Sequence, residues 1–346
     1  MTRGLDERLA DVERLLGAAR AVHSNRAAIA PAIAIATGLT PQGVELGFAS
    51  LEQAATDAGL RALISAAGTA AHVHVILSSN VFVAPLRALA LARAAAKRVT
   101  VRPSARDDVM ARALIAAAAD PAISLVEERD VAAIGADVLH VYGSDETIAA
   151  VRHRVRPGAL VRGHGTGMGL AVVTGDASLD SAAEALAVDV ARFDQRGCLS
   201  PRVVVVEGNQ ARGASFANVL HERLDSLGAR VPRGELSDEE RQKLTQWRDA
   251  LAFAGRVWVG EGHVVALAPS GAPLAIPPPG RHVQVVGEAT LDGVAGRIRS
   301  MGHFIVALGT DAPLRLAQAA PRHARLSRLG HMQRPPLDGP VDRRSL

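Results

Sequence analysis

Cys198 is the one cysteine in a chain of 346 residues, and it stands in Phe193-Asp-Gln-Arg-Gly-Cys-Leu-Ser-Pro201, directly before the apolar run 203–206. A lone cysteine is most often a small buried hydrophobe. Here Gly197 precedes it, Ser200 and Pro201 follow it, and Asp194, Gln195 and Arg196 are polar, so the segment reads as a turn at the entrance to a strand. A cysteine exposed on such a turn, with Arg196 beside it to favour the thiolate, attacks carbonyl and thioester carbons without needing a strong base. A single cysteine also excludes a disulfide framework and a cysteine-based zinc ribbon. No His-Glu-x-x-His pattern offers a replacement, so no metal site is expected.

Two further segments carry polar groups that could assist such a nucleophile. Val75-Ile-Leu-Ser-Ser-Asn80 is an apolar run that ends on an asparagine; taken alone, Asn80 is a strand-end turn residue. Gly163-His-Gly-Thr-Gly-Met-Gly169 sets His164 among alternating glycines, 34 residues before Cys198. A histidine moves protons near neutral pH, and a structural histidine in a glycine-rich turn is an equally good reading. The glycines do not fit the Gly-x-Gly-x-x-Gly nucleotide fingerprint. His221 and His323 show no pattern and read as surface groups.

Composition narrows the partners. Hydrophobic residues make up 48% and charged residues 21%, enough for a sizeable core and too apolar for disorder. The 39 basic and 35 acidic residues leave a formal charge of +4, and Lys97 and Lys243 are the only lysines. The arginines are spread along the chain among acids, and aromatics are only 3%, so neither a basic tail nor a base-stacking platform is present and nucleic acid is not an expected partner. The apolar stretch 27–39 contains Pro31 and is too short to span a bilayer, and the N-terminus turns acidic at once, without the apolar core of an export signal. No membrane span and a cytoplasmic location are expected.

The elements that must position these residues follow from periodicity. The first seventy residues read as helical, with Leu5, Leu9, Val12, Leu16 and Ala19 at helical spacing and the pattern repeated over 51–66. Short apolar runs then predict strands over 73–77, 98–101, 122–126 and 137–142, with helices at 85–97, 107–119 and 145–155 between them. A second such run predicts strands over 170–174, 202–207, 256–259, 263–268 and 282–286, with helices over 180–193 and 214–227 and another starting at Ser237. Continuous apolar strands alternating with amphipathic helices indicate parallel sheets covered on both faces, an α/β protein. Residues 277–280 are a breaker and 335–346 an extended tail.

These segments resemble the LuxC-like fatty acyl-CoA reductases, within the aldehyde dehydrogenase superfamily. Gln195-Arg-Gly-Cys-Leu-Ser-Pro201 looks like that family's catalytic-cysteine segment, and the strand closing on Asn80 looks like the one that ends in the superfamily's oxyanion-binding asparagine. Val99-Thr-Val-Arg-Pro-Ser104 is similar to the Val-x-x-Lys-Pro-Ser strand whose end holds the adenosine ribose. Tyr142-Gly-Ser-Asp-Glu146 is similar to the Gly-Ser turn beside the cofactor phosphates. His164 falls in the place of the dehydrogenase general base, and the stretch from Arg325 to Gly339 looks like the reductase family's close.

The resemblance implies an aldehyde-dehydrogenase-like fold of two Rossmann-like parallel-sheet domains. It implies N-terminal helices and an NAD(P)-binding domain over 1–166, and a catalytic domain carrying Cys198 over 167–310. A segment over 311–346 would then return to the cofactor domain or to a subunit interface, and a homodimer is compatible with it. Cys198 would be the nucleophile, with the Asn80 amide and the Cys198 backbone N–H as oxyanion donors and His164 as proton donor or acceptor. Arg102, Ser104, Gly143 and Ser144 would bind the cofactor. The family's glutamate after the serine is replaced by Ala105 and then Arg106, which removes a like charge from the path of a 2′-phosphate and favours NADPH, with NADH the alternative. Ile148 stands where a second glycine belongs, and no acid occurs at 275–279, where a second glutamate belongs. The expected activity is reduction of an acyl-CoA or acyl-carrier thioester to an aldehyde; the alternatives are an aldehyde dehydrogenase running toward oxidation and a non-catalytic acyl-carrier-binding scaffold.

Overall fold

The computed structural model describes residues 3–51 and 55–344. The expected helical stretch 51–66 therefore lies partly outside the described residues; within them its helix is Asp57–Ala67. The chain forms two compact units: Met1–Thr37, Gly47–Thr166 and Pro336–Leu346 make the first, and Gly38–Leu46 with Gly167–Pro335 the second. Among the described residues no helix is long and apolar enough to cross a membrane.

The first unit is built on a five-stranded, all-parallel sheet in the order β3-β2-β1-β4-β5. Its strands are β1 (Ala70–Ile76), β2 (Ala96–Arg102), β3 (Ile123–Leu125), β4 (Val138–Tyr142) and β5 (Leu160–His164). Strand order reverses between β1 and β4, so the chain leaves their C-terminal ends in opposite directions and opens a crevice there. The helix Ala84–Ala95 is buried on every side from Pro85 to Ala95, packed between the sheet and the helices Leu5–Ser24 and Asp57–Ala67. Its alanine and leucine side chains suit an all-round apolar environment. The two arginines it buries both reach oxygen acceptors. Arg93 meets Asp120 at 2.7 Å and Asp11 at 2.8 Å, and Arg87 donates to the carbonyls of Gly339 (2.6 Å) and Pro336 (2.9 Å) in the C-terminal segment.

The second unit is a seven-stranded sheet in the order β12-β11-β6-β7-β10-β9-β8. The strands are β6 (Met168–Val173), β7 (Pro201–Glu207), β8 (Arg256–Val259), β9 (Val264–Leu267), β10 (His282–Glu288), β11 (Ile305–Thr310) and β12 (Arg325–Arg328). All neighbours are parallel except β8 and β9. Alternation along β7 divides the core. Val204 and Val206 pack with Leu186, Phe216 and Leu220 from the helices Leu179–Ala191 and Gln210–Arg230. Val203 and Val205 pack with Val294 and Ile298 from Leu291–Ser300 on the other face. Buried Asp189 accepts N–H bonds from Gly330 (2.6 Å) and Met332 (3.0 Å), which anchors the segment after β12.

The expected strands are present with ends shifted by a few residues, and the helix begun at Ser237 carries the capping box its sequence predicts, with Glu240. The sequence does not announce β5, β11 and β12. Edge strands β5 and β12 carry Arg162, Gly163, Arg325 and Arg328 and lack the apolar run that identifies a central strand. Residues 335–344 form no regular element, as the composition of the tail implies.

Both sheets bury histidines. His72 and His74 on β1 both reach the Thr100 hydroxyl, at 2.8 and 2.9 Å, and His140 Nδ1 on β4 lies 3.3 Å from His164 Nε2 on β5. Burial lowers all four, to about 4 for His74 and His164, and does the same to His263 and His282 in the second unit. Each is neutral in the fold and regains an ordinary value near 6.5 when unfolded. The stability this represents is complete above about pH 6.5 and is lost as pH falls toward 4. Asp189, which burial raises to about 7, works in the opposite sense over the same range, but it is one group against several. Thermal melts between pH 7.5 and 4.5 should therefore show a steadily falling midpoint, with a shallower fall in His74→Gln; a midpoint unchanged across that range would contradict the assignment.

Candidate active site and nucleotide pocket

Cys198 lies half-buried in a turn between the short 3-10 segment Arg192–Gln195 and β7. Immediately upstream, Phe193, Asp194 and Gln195 all adopt left-handed backbone conformations, with φ of 55°, 47° and 64°. A non-glycine residue pays roughly 1–2 kcal/mol for that geometry, so the surroundings must over-determine it. They do so through two buried side chains. The Asp194 carboxylate accepts from Arg281 Nε at 2.8 Å and from the Gly234 N–H at 2.9 Å. The Gln195 amide donates to the carbonyls of Pro201 (2.7 Å) and His282 (2.8 Å) and accepts the His282 N–H at 2.8 Å, tying the turn to β7 and β10.

The turn itself is closed by the Ser200 N–H on the Gly197 carbonyl at 3.0 Å, and Gln333 donates to the Ser200 hydroxyl at 2.7 Å. β6 presses against it so closely that a Cβ on Gly169 would come within 2.3 Å of the Leu199 carbonyl oxygen. Arg196, which the sequence suggested as the cation favouring the thiolate, reaches Glu240 at 3.6 Å. Arg202, early in β7, is a second cation for that role. Burial lowers its pKa and the charge of Cys198 counters the shift, so the two groups interact, and Arg202 Nε is buried without a hydrogen-bond partner.

The first unit holds a pocket of about 990 Å³ at the C-terminal ends of its strands. Asn80, Arg102, Ser104, Gly143 and Ser144 all line it, so five of the seven residues singled out from the sequence share one cavity. Asn80 is exposed on the loop after β1. Arg102 ends β2, and Ser104 accepts the Arg106 N–H at 3.2 Å. Ser144 caps the helix Asp145–Arg154, and Ser144 and Thr147 at that N-terminus line the pocket. Burial lowers the Arg102 pKa and nearby Arg129 lowers it further. Among the described residues neither of these two guanidinium groups makes an ion pair or a side-chain hydrogen bond. Two adjacent, uncompensated cations in a pocket constitute a site for an anion.

His164 and Cys198 stand apart from that list. His164 ends β5, buried, with the Tyr142 ring stacked on it at 4.3 Å, and it is not among the residues lining the pocket. Burial holds it at about 4 despite the neighbouring Asp342 carboxylate, so at neutral pH it is a neutral imidazole. Cys198 belongs to the second unit. Ile148, the departure from the expected glycine, is a core residue: a Cβ on Gly163 would meet it at 2.7 Å and one on Gly165 at 3.1 Å. The alternating glycines beside His164 are thus explained by packing against Ile148. At 275–279, where a second acid was expected, the Ala275 backbone is bonded to Gln284 (2.8 Å) and Trp247 (2.9 Å). Sequence reading missed Arg112, Glu127 and Arg129 in the pocket. Their position just after a predicted parallel strand or at a helix start was the available signal.

A family profile described as acyl-CoA reductase (LuxC) matches residues 62–313. A long-chain acyl-protein thioester reductase from Aliivibrio fischeri is 28% identical over 120 residues, which is 35% of this chain and 25% of that protein, so the match spans about a quarter of the relative. The solved structure of a gamma-glutamyl-gamma-aminobutyraldehyde dehydrogenase from Burkholderia cenocepacia has a TM-score of 0.72 at 13% identity, covering 92% of this chain and 76% of that one. An NAD-dependent benzaldehyde dehydrogenase from Corynebacterium glutamicum has a TM-score of 0.68 at 17% identity, covering 93% and 81%. At these identities the structures establish the fold, and the expected aldehyde-dehydrogenase-like fold is borne out.

Two measurements test how the turn is held. Arg281→Met leaves the Asp194 carboxylate buried without its cation and should cost about 3 kcal/mol or more in urea unfolding; a loss under about 1 kcal/mol would show that the ion pair does not hold the turn. Arg202→Gln should slow alkylation of Cys198 by iodoacetamide at pH 7 and move the rate profile to higher pH, and an unchanged profile would remove Arg202 from that role.

Proposed function

The chain belongs to the acyl-CoA reductase (LuxC) family, and from that premise we propose that it reduces an acyl-CoA or acyl-carrier thioester to an aldehyde, with NADPH as reductant. The observation that carries the reading is the turn around Cys198. A left-handed three-residue run, clamped by Asp194 and Gln195, holds the chain's one thiol half-exposed near a buried cation. Strain of this kind is maintained where the position of one group matters.

The chemistry follows from the residues. The Cys198 thiolate adds to the thioester carbonyl, and the Cys198 N–H donates to the oxygen on which charge develops; the family resemblance assigns the second donor to the Asn80 amide. The C–S bond to the carrier then breaks, the carrier thiolate leaves and takes a proton, and the acyl group remains on Cys198. The nicotinamide cofactor, when bound, supplies the hydride that takes this acyl group to the aldehyde level. Release of the aldehyde restores the thiolate, which Arg202 favours. His164, neutral above about pH 4, can accept or relay a proton and is not a standing imidazolium.

The pocket of the first unit fits the cofactor. Ser144 and the N-terminus of Asp145–Arg154 suit a pyrophosphate, and Ser104 a ribose. The Arg102–Arg129 pair suits a 2′-phosphate, which would relieve the repulsion between the two guanidinium groups. Glu127 lines the same pocket and is the acid best placed to receive a free ribose hydroxyl, so NADH is the alternative occupant.

Cys198→Ala should fail to become labelled by radioactive acyl-CoA and should produce no aldehyde; labelling at the original rate would end the acyl-enzyme reading. Arg129→Ala should raise the KM for NADPH by about tenfold or more while changing that for NADH much less. Equal changes for the two cofactors would place the 2′-phosphate elsewhere.

A further inference from the structure

The second unit carries a group of side chains that the proposed reaction does not use. His221 and Asp225 lie one turn apart on the helix Gln210–Arg230 and so share a face, and His263 comes to them from the connection between β8 and β9. His221 Nδ1 is 2.9 Å from His263 Nε2, while the outer nitrogens of both rings face one carboxylate. His221 Nε2 is 3.4 Å from Asp225 Oδ2, and His263 Nδ1 is 3.7 Å from Asp225 Oδ1. His221 is not the plain surface group that its sequence context suggests; its side chain is 21% exposed and that of His263 3%.

Two imidazoles and a carboxylate thus converge on one point, each offering a ligand atom within 4.8 Å of the others. Two neutral imidazoles carry two N–H groups. With both turned outward to Asp225, the inner nitrogens present two lone pairs to the same point, which is the donor arrangement a metal ion takes. Gly260 packs against the outer edge of His263: a Cβ there would lie 2.6 Å from His263 Nδ1 and 2.6 Å from Asp225 Oδ1, so only a glycine fits.

We propose that His221 Nδ1 and His263 Nε2 bind a divalent transition-metal ion of the zinc class, with Asp225 accepting from the outer N–H of both rings. Two neutral imidazoles select such ions over calcium or magnesium, which take oxygen ligands. A carboxylate behind each ligating ring fixes the tautomer and orients the donor. Tetrahedral donors at the usual zinc–nitrogen length stand about 3.3 Å apart, so the ion requires the rings to part by only a few tenths of an ångström, with water completing the shell. The ion pins the Gln210–Arg230 helix to the β8–β9 connection and is independent of the acyl-transfer reading.

Titration of the full chain with zinc against a chromophoric chelator should show one site, retained in Cys198→Ala. Affinity should fall about tenfold in Asp225→Asn and further in His221→Gln, a half-exposed position that folding tolerates. Nitrogen-15 side-chain spectra with zinc should shift His221 Nδ1 and His263 Nε2 as the metal-bound atoms and leave the outer nitrogens protonated. Undiminished affinity in His221→Gln, the absence of any zinc-dependent shift at these two nitrogens, or binding through the outer nitrogens would each overturn the proposal.

Discussion

A buried ion pair governs the geometry of the second unit's functional loop. Asp194 and Arg281 are each almost fully withdrawn from water, and each sits on a residue with positive φ, so neither backbone would adopt its conformation without the other's side chain. The pair does more than neutralise charge. It fixes the chain direction at the entrance to β7 and the start of β10, and Gln195 next door bonds to both strands. Cys198 inherits its position from that junction. A turn built on ordinary conformations would be less costly locally, but it would let the thiol wander over several orientations.

Charge is distributed differently in the first unit. Arg87 and Arg93 are buried and end on carbonyls and carboxylates, and Arg3, Arg8 and Arg162 likewise end on backbone or acidic oxygens. Arg102 and Arg129 differ from these: they stand close together in the pocket where strand order reverses, and among the described residues neither ends on an acidic oxygen.

How much of this was readable in the sequence depends on the distance over which each signal acts. The turn at Cys198 announces itself through Gly197, Ser200 and Pro201, all within three residues, and central strands such as β7 announce themselves as apolar runs. Asn80, Arg102, Ser104, Gly143 and Ser144 were marked by the family resemblance, and they converge because parallel strands deliver such strand ends to one side of the sheet. What stayed hidden was long-range. Nothing near Arg202 or Arg129 records which group each approaches, and nothing near His221 records that His263, 42 residues on, will close on it. The burial of His164 depends on β5, an edge strand whose polar composition conceals it.

The bonds from Arg87 to the Gly339 and Pro336 carbonyls have a consequence for the order in which the molecule assembles. Arg87 lies on the most deeply buried helix of the first unit, yet its acceptors are made about 250 residues later, after nearly the whole second unit. During synthesis those two carbonyls become available only after residues 336–339 have been made. The second unit, apart from the short piece 38–46, is drawn from one uninterrupted stretch and can complete its sheet before then. The first unit, begun before the second, therefore gains these two bonds only after the residues of the second unit have been made.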